Sequence, residues 1–325
     1  MHVKWCGYRV LWPLMLVGMA GCGGEGSSGT SGTIVTMPFA PAPAPQPSPT
    51  PSPTPSPPQA GLNASIGLQQ LADFPTLAWF YRNSVPGEAN GTDPVQFGWD
   101  SALRASIMTL PGVPRSYLDV LATETGDDFS GSILQPAGGI VVYMLRPGIQ
   151  NRVLALSSTS VGYFGWSPIG ASARDRIQGV FGYGVPSTTA DIPTSGVASF
   201  SLYGYAAARP AGVNSDPIFY QFLGSAEFDL SLRAVRGSFA TGNLTGYPSR
   251  GSLAERFEFS QASFKSDGTF TGTLTVPGMT GAGEYEGSFT GPGAGELMLR
   301  WKAPYRDPAT GRTDMIYGVL VGKKN

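Results

Sequence analysis

The chain has 325 residues, a formal net charge of −1, 13% charged residues and 41% hydrophobic residues. A balance this neutral lacks the basic patch that nucleic-acid binding needs, and it is too apolar for disorder. The one histidine is His2 and the two cysteines are Cys6 and Cys22, so residues 23–325 hold no imidazole and no thiol, which excludes from them Ser-His-Asp and Cys-His nucleophiles, His- or Cys-held zinc and haem, and disulfides.

In chain order, residues 1–21 read as an export signal. Lys4 and Arg9 supply the positive start, Val10 to Met19 the short apolar run, and Ala20-Gly21 the small residues before Cys22. The run is well short of the roughly 20 residues that span a bilayer as a helix. Met19-Ala20-Gly21-Cys22 resembles a bacterial lipobox. The resemblance implies that Cys22 is lipidated and that the protein is held by its acyl chains. At about 0.8 kcal/mol per buried methylene, two or more chains suffice for stable anchoring. Gly23, rather than Asp, follows the cysteine, and resemblance to enterobacterial lipoproteins then implies the outer membrane.

Residues 22–60 read as a tether. Gly23 to Gly32 is rich in Gly and Ser, and Pro38 to Pro58 repeats Ala-Pro, Ser-Pro and Thr-Pro, which favours polyproline II. About twenty such residues at roughly 3.1 Å each make a semi-rigid stalk. Its expected role is to lift the globular part off the lipid surface.

Residues 61–190 are expected to form a smaller β-rich domain. Val95–Leu110, Gly139–Leu145 and Arg152–Trp166 read as strands, and Ile66–Ala72 and Ser116–Ala122 as short helical turns. The aromatics Trp79, Phe80 and Tyr81, and Tyr163 to Trp166, fit either core packing or exposed anchors for a partner.

Residues 191–325 carry the clearest two-residue alternation. Along Ser225–Val235, Ala226, Phe228, Leu230, Leu232 and Ala234 oppose Glu227, Asp229, Ser231 and Arg233. Phe270, Leu274 and Val276 oppose a row of threonines, Tyr285 and Phe289 oppose Glu284 and Glu286, and Leu297, Leu299 and Trp301 oppose Met298, Arg300 and Lys302. Such a period means strands with one buried face. With Val197–Tyr205, Arg236–Thr241, Arg256–Phe264 and Met315–Val321, about eight strands follow in sequence, which can close into a barrel filled by side chains. The fold class is therefore all-β: a C-terminal eight-stranded antiparallel barrel preceded by a smaller β-rich domain.

Several spaced motifs carry a family resemblance. Gly287-Ser288-Phe289-Thr290-Gly291-Pro292-Gly293-Ala294-Gly295-Glu296-Leu297 is similar to the barrel signature of transferrin-binding protein B lipoproteins. Pro193 to Ala198, Gly179 to Gly184, Gly162 to Trp166 and Gly318 to Lys323 are similar to that family's barrel opener, its approach to the barrel, a strand of its handle domain and its closing strand. The resemblance covers about residues 160–325 and implies a single handle and a single barrel. Leu297-Met298 replaces the usual glycine pair after the signature glutamate, and no transferrin-contacting loop is matched residue by residue.

What remains for chemistry is carboxylates. Asp127-Asp128 sit in a Gly-Asp-Asp turn without the ligand series of a calcium loop. Glu284 and Glu286 fall on one face of one strand, whereas a glycosidase pair flanks its bond from two sides. Gly291, Gly293 and Gly295 lie between strands, with no helix to make a dinucleotide fingerprint. Glu296 reads as a rim residue that accepts hydrogen bonds from turn amides or pairs with an arginine. No catalytic residue, metal site or cofactor is expected, and the ligand-binding residues are not legible. The expected function is an outer-membrane lipoprotein that binds a protein, haem or metal-carrier ligand through handle and barrel-rim loops, in iron or nutrient acquisition. The alternative is a lipocalin-like carrier with a small apolar ligand inside the barrel, and a carboxylate enzyme is the third reading.

Overall fold

The computed structural model describes residues 73–82, 85–88, 95–100, 105–110, 113–118, 129–134, 138–145, 151–168, 176–209, 216–242 and 252–325. Cys22, the leader, the tether, Ile66–Ala72 and Asp127-Asp128 lie outside them.

The first ten strands are β1 (Asp73–Phe74), β2 (Thr76–Arg82), β3 (Val85–Glu88), β4 (Gln96–Asp100), β5 (Ala105–Leu110), β6 (Val113–Leu118), β7 (Phe129–Leu134), β8 (Gly138–Leu145), β9 (Thr159–Pro168) and β10 (Ile177–Gly184). They make a four-stranded sheet, β1-β4-β5-β6, and a six-stranded sheet, β3-β2-β10-β9-β8-β7. The remaining eight are β11 (Val197–Ala208), β12 (Ile218–Asp229), β13 (Ala234–Thr241), β14 (Arg256–Phe264), β15 (Thr269–Thr275), β16 (Gly283–Thr290), β17 (Glu296–Arg306) and β18 (Thr313–Lys324). They form a closed barrel in sequence order, antiparallel throughout, with β18 returning to pair with β11. The all-β class and the eight-stranded C-terminal barrel expected from the alternation are what the chain forms.

Phenylalanine fills the barrel. Phe200, Phe222, Phe228, Phe239, Phe257, Phe270 and Phe289 are all essentially buried and pack on one another and on Trp301. A fully buried side chain of this size contributes about 1.5–3 kcal/mol relative to exposure. The interior is thus a core. Ring-on-ring packing of the described side chains gives the lipocalin-like alternative no support.

The six-stranded sheet packs one face on the four-stranded sheet and the other on the barrel. Phe80, Phe164 and Phe181 point toward Phe74, Phe97 and Met108 of the smaller sheet. Trp79, Tyr81, Tyr143 and Val180 point toward Tyr203, Tyr205, Met298, Val319 and Val321 on the barrel's outer wall. Trp79, Phe80 and Tyr81 are therefore core residues on alternate faces of β2, with the Tyr81 hydroxyl donating to the Ala207 carbonyl (3.2 Å).

Four expected elements differ. Val95–Leu110 is a hairpin, with Phe97 opposite Met108; the two antiparallel arms share one apolar character and so read as a single strand. Ser116–Leu118, read as part of a helical turn, is strand because Tyr117 pairs with Ile107 across the ladder, and residues 119–122 are outside the description. The strand expected from Arg152 starts at Thr159; before it the chain is irregular, its turn closed by Asn151 Oδ1 accepting from the amides of Val153 (2.8 Å) and Leu154 (3.2 Å). Ser225–Val235 is not one strand. The alternation runs on through a tight turn, where Asp229 Oδ1 accepts from the Leu232 amide (2.9 Å) and Arg233 takes a left-handed φ of 52°.

The buried tyrosines make the fold sensitive to alkali. Burial pushes the hydroxyls of Tyr81, Tyr183, Tyr205, Tyr285 and Tyr305 well above the ordinary tyrosine range. A folded-state pKa raised above the unfolded value gives stability that is complete below about pH 10 and is lost as pH rises toward the folded values. The tyrosinate absorbance of these five should therefore appear only together with loss of near-ultraviolet dichroism, above pH 10. Hyperchromicity of these residues at pH 10 in a folded protein would contradict the burial.

Candidate binding surfaces

The barrel and the six-stranded sheet are locked by the signature segment. Glu296, 1% exposed at the start of β17, accepts from the amide of Ser157 (2.6 Å), the Ser157 hydroxyl (3.1 Å), the amide of Ser158 (2.9 Å) and Lys323 Nζ (3.1 Å). Two amides of the irregular segment before β9 are thereby satisfied by a carboxylate from the barrel rim. Thr290 completes the joint through its hydroxyl to Thr159 (2.6 Å). Gly291 turns the chain with φ 70°, and a Cβ there would lie 2.8 Å from Ser158 Oγ, so both conformation and space demand glycine. Pro292–Ala294 then makes a 3₁₀ turn. The expected turn-amide role of Glu296 is what the geometry shows, with lysine rather than arginine as its cation. Gly291, Gly293 and Gly295 line this turn and precede a strand.

Glu284 and Glu286 stand on the barrel's outer face. Each meets its cross-strand partner, Glu284 with Lys302 (2.5 Å) and Glu286 with Arg300 (2.5 Å). Arg300 and Lys302 in turn lie over the Trp79 ring, at 5.1 and 5.7 Å from its centroid. These charges tie β2 of the sheet to the barrel wall. Among the described residues no cluster of three or more His, Cys, Asp or Glu side chains is arranged to hold a metal.

Among the described residues, two surfaces are candidates for recognition. One is the rim where β11 begins. Leu232, 68% exposed, projects from the β12–β13 turn, and Val197, 59% exposed, opens β11 on the same rim. The Gly196 carbonyl accepts from the Leu230 amide (2.9 Å) and the Gly196 amide donates to Ser231 Oγ (3.0 Å), so the turn and the strand opener are tied together. The sequence placed Leu232 on the inward face, and the turn at Asp229 rotates it out.

The other is a groove of about 350 Å³ between the six-stranded sheet and the barrel wall. Val141, Tyr163, Gly165 and Gln178 line the sheet side, and Phe219 and Gln221 the barrel side. Tyr163 stacks on Phe219 (4.8 Å, 26°) and meets Tyr205 edge-on (5.2 Å, 71°). Of the aromatics singled out in sequence, Tyr163 belongs to this groove, while Phe164 is buried against the smaller sheet as well. Phe219 and Gln221 are not legible in the sequence because the first half of β12 shows no clean alternation. The available signal is an aromatic, Phe219, on the face opposite Tyr220 and Phe222.

No protein-family model matches the chain, and no curated protein matches it. Solved structures that it matches include those of transferrin-binding protein B. A double-mutant form from Haemophilus parasuis Hp5 is 14% identical, with a TM-score of 0.45 over 77% of this chain and 44% of that one. The isotype 1 protein from serogroup B Neisseria meningitidis is 15% identical, with a TM-score of 0.43 over 77% and 43%. A mutant form from Actinobacillus pleuropneumoniae H49 is 12% identical, with a TM-score of 0.38 over 77% of this chain and all of that one. The chain thus spans less than half the length of the first two. This is the family that the sequence motifs resemble.

Proposed function

We propose that the chain is an outer-membrane lipoprotein, anchored through Cys22 and carried on the 22–60 stalk, that captures a protein or a haem- or metal-carrying partner for nutrient acquisition and catalyses nothing. The observation that carries this reading is the exposed apolar pair Val197 and Leu232, held outward at the barrel rim by an ordered turn. In this reading the two ordered apolar side chains serve together as the contact element for a partner surface. The packed barrel supports the same conclusion, because recognition then falls to the outside of the molecule. The absence of imidazole and thiol beyond Cys22 in the sequence leaves catalysis poorly supplied.

Two measurements test it. Cys22→Ser should leave the domain folded but release it from membranes into the soluble fraction; sedimentation with membranes would end the anchor claim. The soluble protein, immobilised, should retain a partner from growth medium or host fluid, and Leu232→Asp should cut that retention by tenfold or more while leaving the unfolding midpoint in place. Equal retention by the variant would remove the rim from the interface.

A further inference from the structure

The groove between the six-stranded sheet and the barrel has features that the capture of a protein at the rim does not use. Gln221 is 3% exposed, lines the groove, and its Oε1 has no hydrogen-bond partner among the described residues. A buried acceptor without a donor is costly and uncommon, so its persistence in a cleft calls for a donor from outside the chain. Gln221 is fixed by its register opposite Tyr205 on β11, which puts a barrel-wall acceptor beside a barrel-wall ring. The walls are aromatic: Tyr163 and Phe219 stack, with Tyr205 edge-on. Val141, 49% exposed, leaves an apolar lip. The floor is bare at Gly165, where an added Cβ would approach nothing closer than the Gln178 side chain at 3.7 Å. Arg176, which also lines the groove, is already paired with Asp216 at 2.5 Å, so the site offers little net charge to an ionic ligand.

We propose that this groove is a small-molecule site for an uncharged planar aromatic ligand of one or two rings that carries an N–H or O–H donor. The ring would lie against Tyr163 and Phe219 and over the Gly165 gap, and the donor would meet Gln221 Oε1. The volume sits at the small end of the ~300–1,000 Å³ usual for ligand pockets, which limits the ring count. Aromatic walls favour offset or edge-on stacking with such a ring, and the single unmatched acceptor sets its orientation. The site is separate from the rim that bears Leu232, at the far end of β12.

The probe is 5-fluoroindole, observed by fluorine NMR against the full chain in detergent, with partition into detergent alone subtracted. Its control is 5-fluoro-1-methylindole, the same ring system without the donor. The unaltered protein should bind 5-fluoroindole at millimolar concentration or below and the methylated probe about tenfold more weakly, the penalty for leaving a buried acceptor unmatched. Gln221→Leu should erase the difference between the two probes. Gly165→Leu, whose Cβ meets nothing closer than the Gln178 side chain at 3.7 Å, should abolish binding of both at an unchanged unfolding midpoint. Equal affinity of the two probes for the unaltered protein, no binding of either at millimolar concentration, or undiminished binding by a folded Gly165→Leu variant would each overturn the proposal. Should Gly165→Leu fail to fold, the two-probe comparison on the unaltered protein and on Gln221→Leu still decides. Partner capture through Leu232 is read in a separate assay, so failure here leaves that reading standing and failure there leaves this one.

Discussion

Replacing Glu296 with alanine is expected to lower the free energy of unfolding by about 3 kcal/mol, the range found when one partner of a buried charge pair is removed. The carboxylate is almost wholly buried and is the acceptor for two backbone amides, a hydroxyl and an ammonium group at once. Alanine leaves the half-buried Ser157 amide and the buried Ser158 amide without acceptors, and Lys323, about a third exposed, without its counter-charge. Glu296→Gln keeps one acceptor oxygen and should recover part of the loss. Glu284→Gln is the contrast. Its ion pair with Lys302 is on the exposed barrel wall, and its removal should change stability by less than about 0.5 kcal/mol. Urea unfolding of the three variants checks the ordering, and a Glu296→Ala protein as stable as its parent would show that the joint between barrel and sheet is held elsewhere. A second signature is local: protease cutting near Ser157 should rise in Glu296→Ala before global unfolding does.

Trp301→Ala is expected to cost more, about 3–5 kcal/mol, because it removes the largest fully buried side chain of the barrel. Its ring lies 4.8 Å from Phe239, 5.0 Å from Phe257 and 5.2 Å from Phe222, so three strands besides its own close on it. The pairing residue on β18 is Gly318, and a Cβ there would stand 2.4 Å from the indole. Tryptophan and glycine therefore form a complementary pair, the ring occupying the space the glycine leaves. Gly318→Val in the parent should also be destabilising, by overpacking, at about 1–3 kcal/mol. In the Trp301→Ala background the same change should do less harm or restore stability. Thermal or urea unfolding of the four proteins in a double-mutant cycle measures the coupling; simple additivity would mean the two residues do not share that space.

Much of the barrel could be read before any coordinates. Phe270 and Leu274, Tyr285 and Phe289, and Leu297 to Trp301 alternate because one face meets the core and the other meets water, and the structure puts each where the period says. The signal fades where both faces are covered. From Leu202 to Ala208, β11 is buried continuously, since Leu202 faces the barrel interior and Tyr203, Tyr205 and Ala207 face the six-stranded sheet. The same double covering hides β2, whose Trp79-Phe80-Tyr81 run has no polar face to report its direction. Turns were the other failure: Leu232 keeps the apolar period while Asp229 and Arg233 reverse the chain around it. Glu296 reads from the sequence as a rim acceptor, yet its amide donors are about 140 residues earlier, a distance at which local pattern carries no information. The groove was less legible still. Gln221 and Gly165 are ordinary residues, and only the docking of sheet on barrel makes them neighbours.

The return of β18 to β11 has a kinetic consequence. Phe200 pairs with Lys324 and Ala208 with Ile316, so the first barrel strand stays unsatisfied on one side until the twelve residues of β18 have been made. Contacts this distant in sequence fold slowly. A nascent chain lacking β18 would hold these strands as an open sheet, with the outer edge of β11 unpaired.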